Sequence, residues 1–75
     1  MYNKSQTFLL LYLDLKYEKQ LRSQILHKYN ITERTLRRYI ADLKEIGFLI
    51  RSEKVKTLNG VPIAHPELYI IMEEV

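Results

Sequence analysis

Over the first two thirds of the chain apolar residues recur at helical spacing; after that the period changes. Between about residues 4 and 15, Phe8, Leu9, Leu11, Tyr12 and Leu15 lie one helical turn apart, with Leu10 and Leu13 widening the stripe. The run FLLLYLDL is poor in β-branched residues, which favours a helix over a buried strand. Asn3 or Ser5 is placed to cap it. A polar connection follows. A second helix is expected over about 18–29, with Leu21, Ile25, Leu26 and Tyr29 on its inner face and Lys19, Arg22, His27 and Lys28 outside.

Asn30 tolerates the left-handed backbone that ends a helix, and Thr32 can cap the next one. Ile31 and Leu36 stand at the two positions of a hydrophobic staple. The third helix is expected over about 33–46. Leu36, Ile40 and Leu43 form its buried face, Tyr39 and Ile46 lie at a margin, and Gly47 is the stop. Beyond Gly47, FLIRSEKVK and ELYIIME read as strands at about 48–56 and 67–73. TLNGVPIAHP lies between them. Asn59-Gly60 signals a hairpin, either as a two-residue turn or within a wider loop. Pro62 and Pro66 delay the regular part of the second strand to about Glu67. The expected fold is mainly α within the α+β class: three helices closed by a two-stranded β-hairpin, in one domain spanning 1–75. An isolated hairpin is marginal in water, so this one must pack on the helices.

Charge sharpens the picture. Residues 16–56 hold eleven Lys/Arg against five Asp/Glu, while residues 57–75 hold three acids and no base. A basic block of this kind suits a polyanionic partner. On the third helix Arg34, Arg38 and Ala41 point away from the Leu36–Ile40–Leu43 face, with Arg37 and Lys44 on a flank. Arg34 and its neighbours crowd the positive end of the helix dipole, where cations are disfavoured. A DNA major groove admits one helix, a small residue lets the backbone come close, and arginine matches guanine and phosphate. The plain alternative is a solvated face, with Glu33–Arg37 and Arg38–Asp42 as ordinary ion pairs four residues apart.

The stretch ILHKYNITERTLRRYIADLKEIGFLI resembles the helix-turn-helix of winged-helix bacterial and phage regulators, especially the DeoR-type group. Ile25, Tyr29, Asn30, Ile31 and Thr32 match that pattern up to the turn. Thr35, Leu36, Arg37, Arg38, Ile40 and Leu43 match the recognition helix, and Gly47 with Leu49-Ile50 matches the exit into the wing. Leu26 stands where the family prefers Ala, and Tyr39 where it prefers Asp. The resemblance implies a winged helix whose third helix enters the major groove. Thr32, Glu33, Arg34, Thr35, Arg37, Arg38, Ala41 and Lys44 would then lie at or beside the DNA. Arg22 and Lys28 would approach phosphates, and Arg51, Lys54 and Lys56 of the wing would meet the backbone or the minor groove.

Other chemistry is sparse. There is no cysteine, and His27 and His65 have no partner at metal-ligand spacing, so neither a metal nor another cofactor is expected. No phosphate loop or nucleophile motif is present, and Ser5, Ser23 and Ser52 have no evident His/Asp partner; an enzyme is not expected. His65 reads as a loop residue and Glu73-Glu74 as a frayed end. Six tyrosines raise base stacking on single strands, yet Tyr12, Tyr29 and Tyr69 fit the core pattern, which leaves Tyr2, Tyr17 and Tyr39 unassigned. The apolar run is too short to span a bilayer, no signal peptide is evident, and a cytoplasmic setting is expected. No effector pocket is expected in so small a chain. The apolar first helix either packs wholly into the core or offers a homodimer face. The expected function is sequence-specific binding of double-stranded DNA by a small transcriptional regulator. The alternatives are an architectural, replication or excisionase-like recombination factor, and a winged-helix protein-interaction module whose acidic end, Glu67 to Glu74, meets a protein.

Overall fold

The first helix follows from a complete local signal at its start. In the computed structural model, which describes residues 2–73 (backbone only for 64–66), Asn3 caps helix α1, Lys4–Tyr17. Its side chain accepts from the Gln6 N–H while Gln6 accepts from the Asn3 N–H, a reciprocal capping box. The helix runs past the expected end at 15 and stops at Glu18. Leu11 and Leu15 are fully buried, whereas Leu9 and Leu13 are 55% and 38% exposed. The apolar stripe is therefore wider than the core can cover.

The second helix is shorter than its pattern suggests. Gln20–Leu21 forms a short strand, β1, and helix α2 is Arg22–Tyr29 rather than 18–29. The reason is non-local. Gln20 and Leu21 pair antiparallel with Ile70 and Tyr69, and Leu21 buries its side chain from an extended backbone. The one-turn spacing of Leu21 and Ile25 is the same whether the residue before a helix is extended or helical, so periodicity alone does not separate the two.

Helix α3 is Glu33–Ile46, as expected. Asn30 adopts the left-handed conformation at φ 50°. Its N–H donates to the His27 carbonyl and that of Ile31 to Leu26, the paired bonds of a Schellman close. Gly47, at φ 125°, ends α3 the same way, with bonds to Lys44 and from Phe48 to Leu43. Thr32 caps α3 by accepting from the Thr35 N–H at 3.2 Å. The buried face is Leu36, Tyr39 and Leu43; Ile40, expected at its centre, is half-buried. Tyr39 turns inward because its ring meets Phe8 of α1 edge-on, with centroids 5.7 Å apart. Leu26 is half-buried against the core at the α2–α3 junction.

Strand β2 is Leu49–Leu58 and strand β3 is Val61–Glu73, so both extend further into the hairpin than the expected 48–56 and 67–73. Asn59 and Gly60 form a two-residue turn with φ of 53° and 79°, as a type I′ hairpin turn requires. The register breaks between Val55 and Thr57: Val55 faces Glu67, and Thr57 faces Pro62. Regular pairing thus resumes at Glu67, as the prolines suggested, although β3 begins at Val61. Sheet order is β1-β3-β2. β1 reaches β3 only at Tyr69 and Ile70, so at Pro62 one side of β3 is open and a residue lacking N–H is tolerated. The backbone of His65, expected in a loop, belongs to β3; its side chain, and Glu74, lie outside the described residues.

Besides core packing, a tertiary hydrogen bond joins the hairpin to α2. The N-cap of α2, Leu21, offers no side-chain acceptor. Glu67 of β3 supplies it, accepting from the Ser23 N–H at 3.3 Å. Burial tends to raise the Glu67 pKa. The hydrogen bonds from Ser23 and Leu68 and the Arg22 charge outweigh it and hold the carboxyl below its ordinary value of 4.5. A depressed carboxyl pKa stabilises the fold above the unfolded-state value and loses that effect as pH falls through the folded-state value. Glu67→Gln is accordingly expected to lower stability at pH 7 by about 1 kcal/mol. The gap to wild type should close in urea melts run below pH 4; a gap of constant size across pH would rule out the carboxylate as the cap.

Candidate nucleic-acid interface

Thr32 starts α3 with its own side chain, so the first turn is fixed in direction. Burial of Leu36, Tyr39 and Leu43 then fixes the rotation, and what is left over faces solvent. Glu33, Arg34, Arg37, Arg38, Ala41 and Lys44 are all exposed, while Thr35 is half-buried. Ala41 lies within one or two turns of Arg34, Arg37, Arg38 and Lys44, so a small residue sits among four cations. The helix is about 21 Å long at 1.5 Å per residue.

The cations are not equivalent. Glu33 holds two of them: Arg22 Nη1 is 3.4 Å from Oε1, and Arg37 Nη2 is 3.5 Å from Oε2. The plain reading of the charge pattern thus holds for Arg37. It does not hold for Arg38, which makes no ion pair with Asp42. Among the described residues Lys4, Arg34, Arg38 and Lys44 have no ion-pair partner. Two unpaired guanidinium groups and an unpaired ammonium therefore share one side of the molecule, where Lys4, Arg34, Thr35, Arg38 and Tyr39 line a shallow cleft of about 330 Å³.

Lys4 was not among the residues expected at this face. The signal that could have found it is the one that singled out Arg34. Lys4 is a cation at the start of a helix whose first turn has no acid, and such a position disfavours it unless an anion is near.

Lys28 and Arg51 are more committed. Lys28 Nζ lies 3.0 Å from Asp14 Oδ2, and the Tyr29 hydroxyl donates to that same oxygen. The hydrogen bond that Lys28 donates to Asp14 raises the Lys28 pKa, and burial followed by the Asp14 contact raises that of Tyr29. This cluster pins α2 to α1. Arg51 is held by Glu73 at 3.0 Å and Glu53 at 3.8 Å. On the hairpin, Lys54 and Lys56 are exposed and unpaired among the described residues. Of the tyrosines the pattern left unassigned, Tyr39 is core, while Tyr2 and Tyr17 are 56% and 87% exposed.

The arrangement is a three-helix unit with a tight α2–α3 turn, an outward basic α3 and a β-hairpin beside it: a winged helix-turn-helix. Comparison with protein families agrees. The HTH domain family model matches residues 8–61, from α1 through the hairpin turn, and the chain belongs to that family of helix-turn-helix DNA-binding domains. No curated protein and no solved structure matches it. Among the described residues no helix is long and apolar enough to cross a membrane.

The Glu33 pairs carry a prediction. Glu33→Gln releases Arg22 and Arg37 for phosphate contact. Binding to mixed-sequence duplex DNA should tighten, and the plot of log K against log salt should steepen by about one to two units. Fluorescence anisotropy at several salt concentrations measures this, and an unchanged slope would mean that neither arginine reaches the backbone.

Proposed function

We propose that residues 1–75 form one domain that binds double-stranded DNA sequence-specifically and acts as a small cytoplasmic transcriptional regulator. The observation that carries this reading is the pair Arg34 and Arg38. Both are exposed, both lack an ion-pair partner among the described residues, and both flank the small Ala41 on a helix whose direction and rotation are fixed. In this reading α3 lies in the major groove. Arg34 and Arg38 reach base edges over Ala41, Thr35 assists, and Lys44 and Lys4 hold phosphates. Thr32 and Glu33 stand at the groove edge. Arg22, Arg37 and Lys28 are secondary, because each is engaged with a carboxylate, and Arg51 likewise. Lys54 and Lys56 of the wing meet the backbone or the minor groove.

The rival reading as a protein-interaction module drew on the acidic end of the chain. Of those acids, the described ones have internal work: Glu67 caps α2 and Glu73 binds Arg51. The first helix supports a homodimer. Leu9 and Ile46 are 55% and 65% exposed above a cleft of wholly apolar lining that also includes Phe8, Tyr12, Leu43 and Phe48. A dimer through this face would read two half-sites about 34–36 Å apart.

Selection of bound sequences from random duplex DNA at physiological salt tests the reading; enrichment of a defined motif is expected, and no enrichment would reject it. On the selected duplex, Arg34→Ala or Arg38→Ala should each cost about 1–3 kcal/mol and relax specificity. Lys54→Ala with Lys56→Ala should instead weaken all sequences and flatten the salt slope. Unchanged gel-shift affinity in both arginine variants would reject the assigned face.

A further inference from the structure

The tip of the β2–β3 hairpin carries apolar side chains that the core does not use. Leu58 and Val61 face each other across the turn, so they share one face of the hairpin, and strand alternation puts Ile63 on that face too. Val61 is 63% exposed, and Leu58 and Ile63 are half-buried. Among the described residues none of the three belongs to the core or packs against it. Pro62 is exposed on the opposite face, across from Thr57. Hairpin tips are ordinarily polar, since apolar surface held in water is unfavourable. Behind the tip stand Lys54 and Lys56, exposed and unpaired among the described residues. The wing is thus an apolar point on a basic stem.

Its reach matches duplex geometry. Ser52 lines the same cleft as Glu33, Arg37 and Ile40, so the hairpin passes α3 at that residue. From Ser52 to Leu58 the strand advances about 20 Å at roughly 3.3 Å per residue. One turn of B-DNA is about 34 Å, which puts a minor groove about half that distance from a helix seated in the major groove. The two-residue turn, with positive φ at Asn59 and Gly60, keeps the tip narrow.

We propose that the hairpin tip is a minor-groove wedge. Leu58, with Val61 beside it, enters the duplex next to the α3 site, parts one base step and bends the DNA, while Lys54 and Lys56 hold the flanking phosphates. Apolar side chains inserted in this way unstack a step and kink the helix toward the major groove. Flexible pyrimidine–purine steps such as TA cost least to open, so the wedge favours one about half a turn from the bases that α3 reads. This inference rests on the DNA-binding reading and extends it from recognition to bending.

The test uses the full chain and a mixed-sequence duplex of about 30 base pairs with a TA step, labelled at both ends for energy transfer. Wild type should bind at low salt and shorten the end-to-end distance, corresponding to a bend of about 20–90°. Leu58→Ser combined with Val61→Ser should leave the thermal melt and most of the affinity intact while removing the bend. Lys54→Ala with Lys56→Ala should weaken binding and flatten its dependence on salt. A straight duplex in the wild-type complex, or a bend that survives in the serine variant, overturns the wedge and leaves DNA binding standing. Self-association of the wild type through the tip, lost in the serine variant while the DNA stays straight, overturns it in favour of a protein contact. No binding at low salt overturns both readings.

Discussion

Strand β3 is the part on which the rest depends. It pairs with β1 on one side and β2 on the other, and its Ile70 is buried in the core among side chains from all three helices. Through Glu67 it also supplies the acceptor that α2 lacks at its own N-terminus. The helix-turn-helix and the wing are therefore not two units side by side. The start of α2 is set by pairing to β3 and by a carboxylate from β3. The hairpin in turn is stable because its base is a three-stranded sheet lying on the helices.

The electrostatics of the exposed surface follow from which charges have partners. Acids are few, and most of those described are used to build the molecule. Asp14 ties α1 to α2, Glu67 caps α2, Glu73 holds Arg51, and Glu33 bridges Arg22 to Arg37 across the α2–α3 turn. Among the described residues the cations without an ion pair are Lys4, Arg34, Arg38 and Lys44 around the outer face of α3, Lys54 and Lys56 on the wing, and Lys16 and Lys19, which lie over the rings of Tyr12 and Tyr69. Exposed ion pairs contribute little to stability, so the value of the Glu33 bridge lies elsewhere. It sets two guanidinium groups against one carboxylate at the start of α3.

The apolar surplus of α1 has the opposite character. A helix this apolar on all sides cannot hide every leucine in a three-helix core; Leu9 and Leu13 are left exposed, Leu9 beside Ile46 of α3. In a chain of 75 residues such exposure opposes solubility. Phe8 joins the two surfaces, lining the apolar cleft with Leu9 and Ile46 on one side and a cleft with Lys4 and Arg38 on the other.

The sequence alone determined the things that depend on near neighbours along the chain. Asn3, Thr32, Asn30 and Gly47 act through bonds to residues three to five positions away, so the starts of α1 and α3 and the ends of α2 and α3 were legible. The periodicity of α3 showed which arginines point outward, because that is set by helical geometry once one face is buried. Tertiary structure decided what depends on distant partners. β1 is a strand because Tyr69 and Ile70 arrive beside it. Tyr39 is core because Phe8 meets its ring. Lys4 joins Arg34 and Arg38 because α1 is laid against α3. Arg38 stays unpaired although Asp42 is four residues away, whereas Arg22 finds Glu33 across a turn. Spacing along a chain fixes directions; the choice among competing partners is a matter of distance in three dimensions, and only the folded molecule sets that.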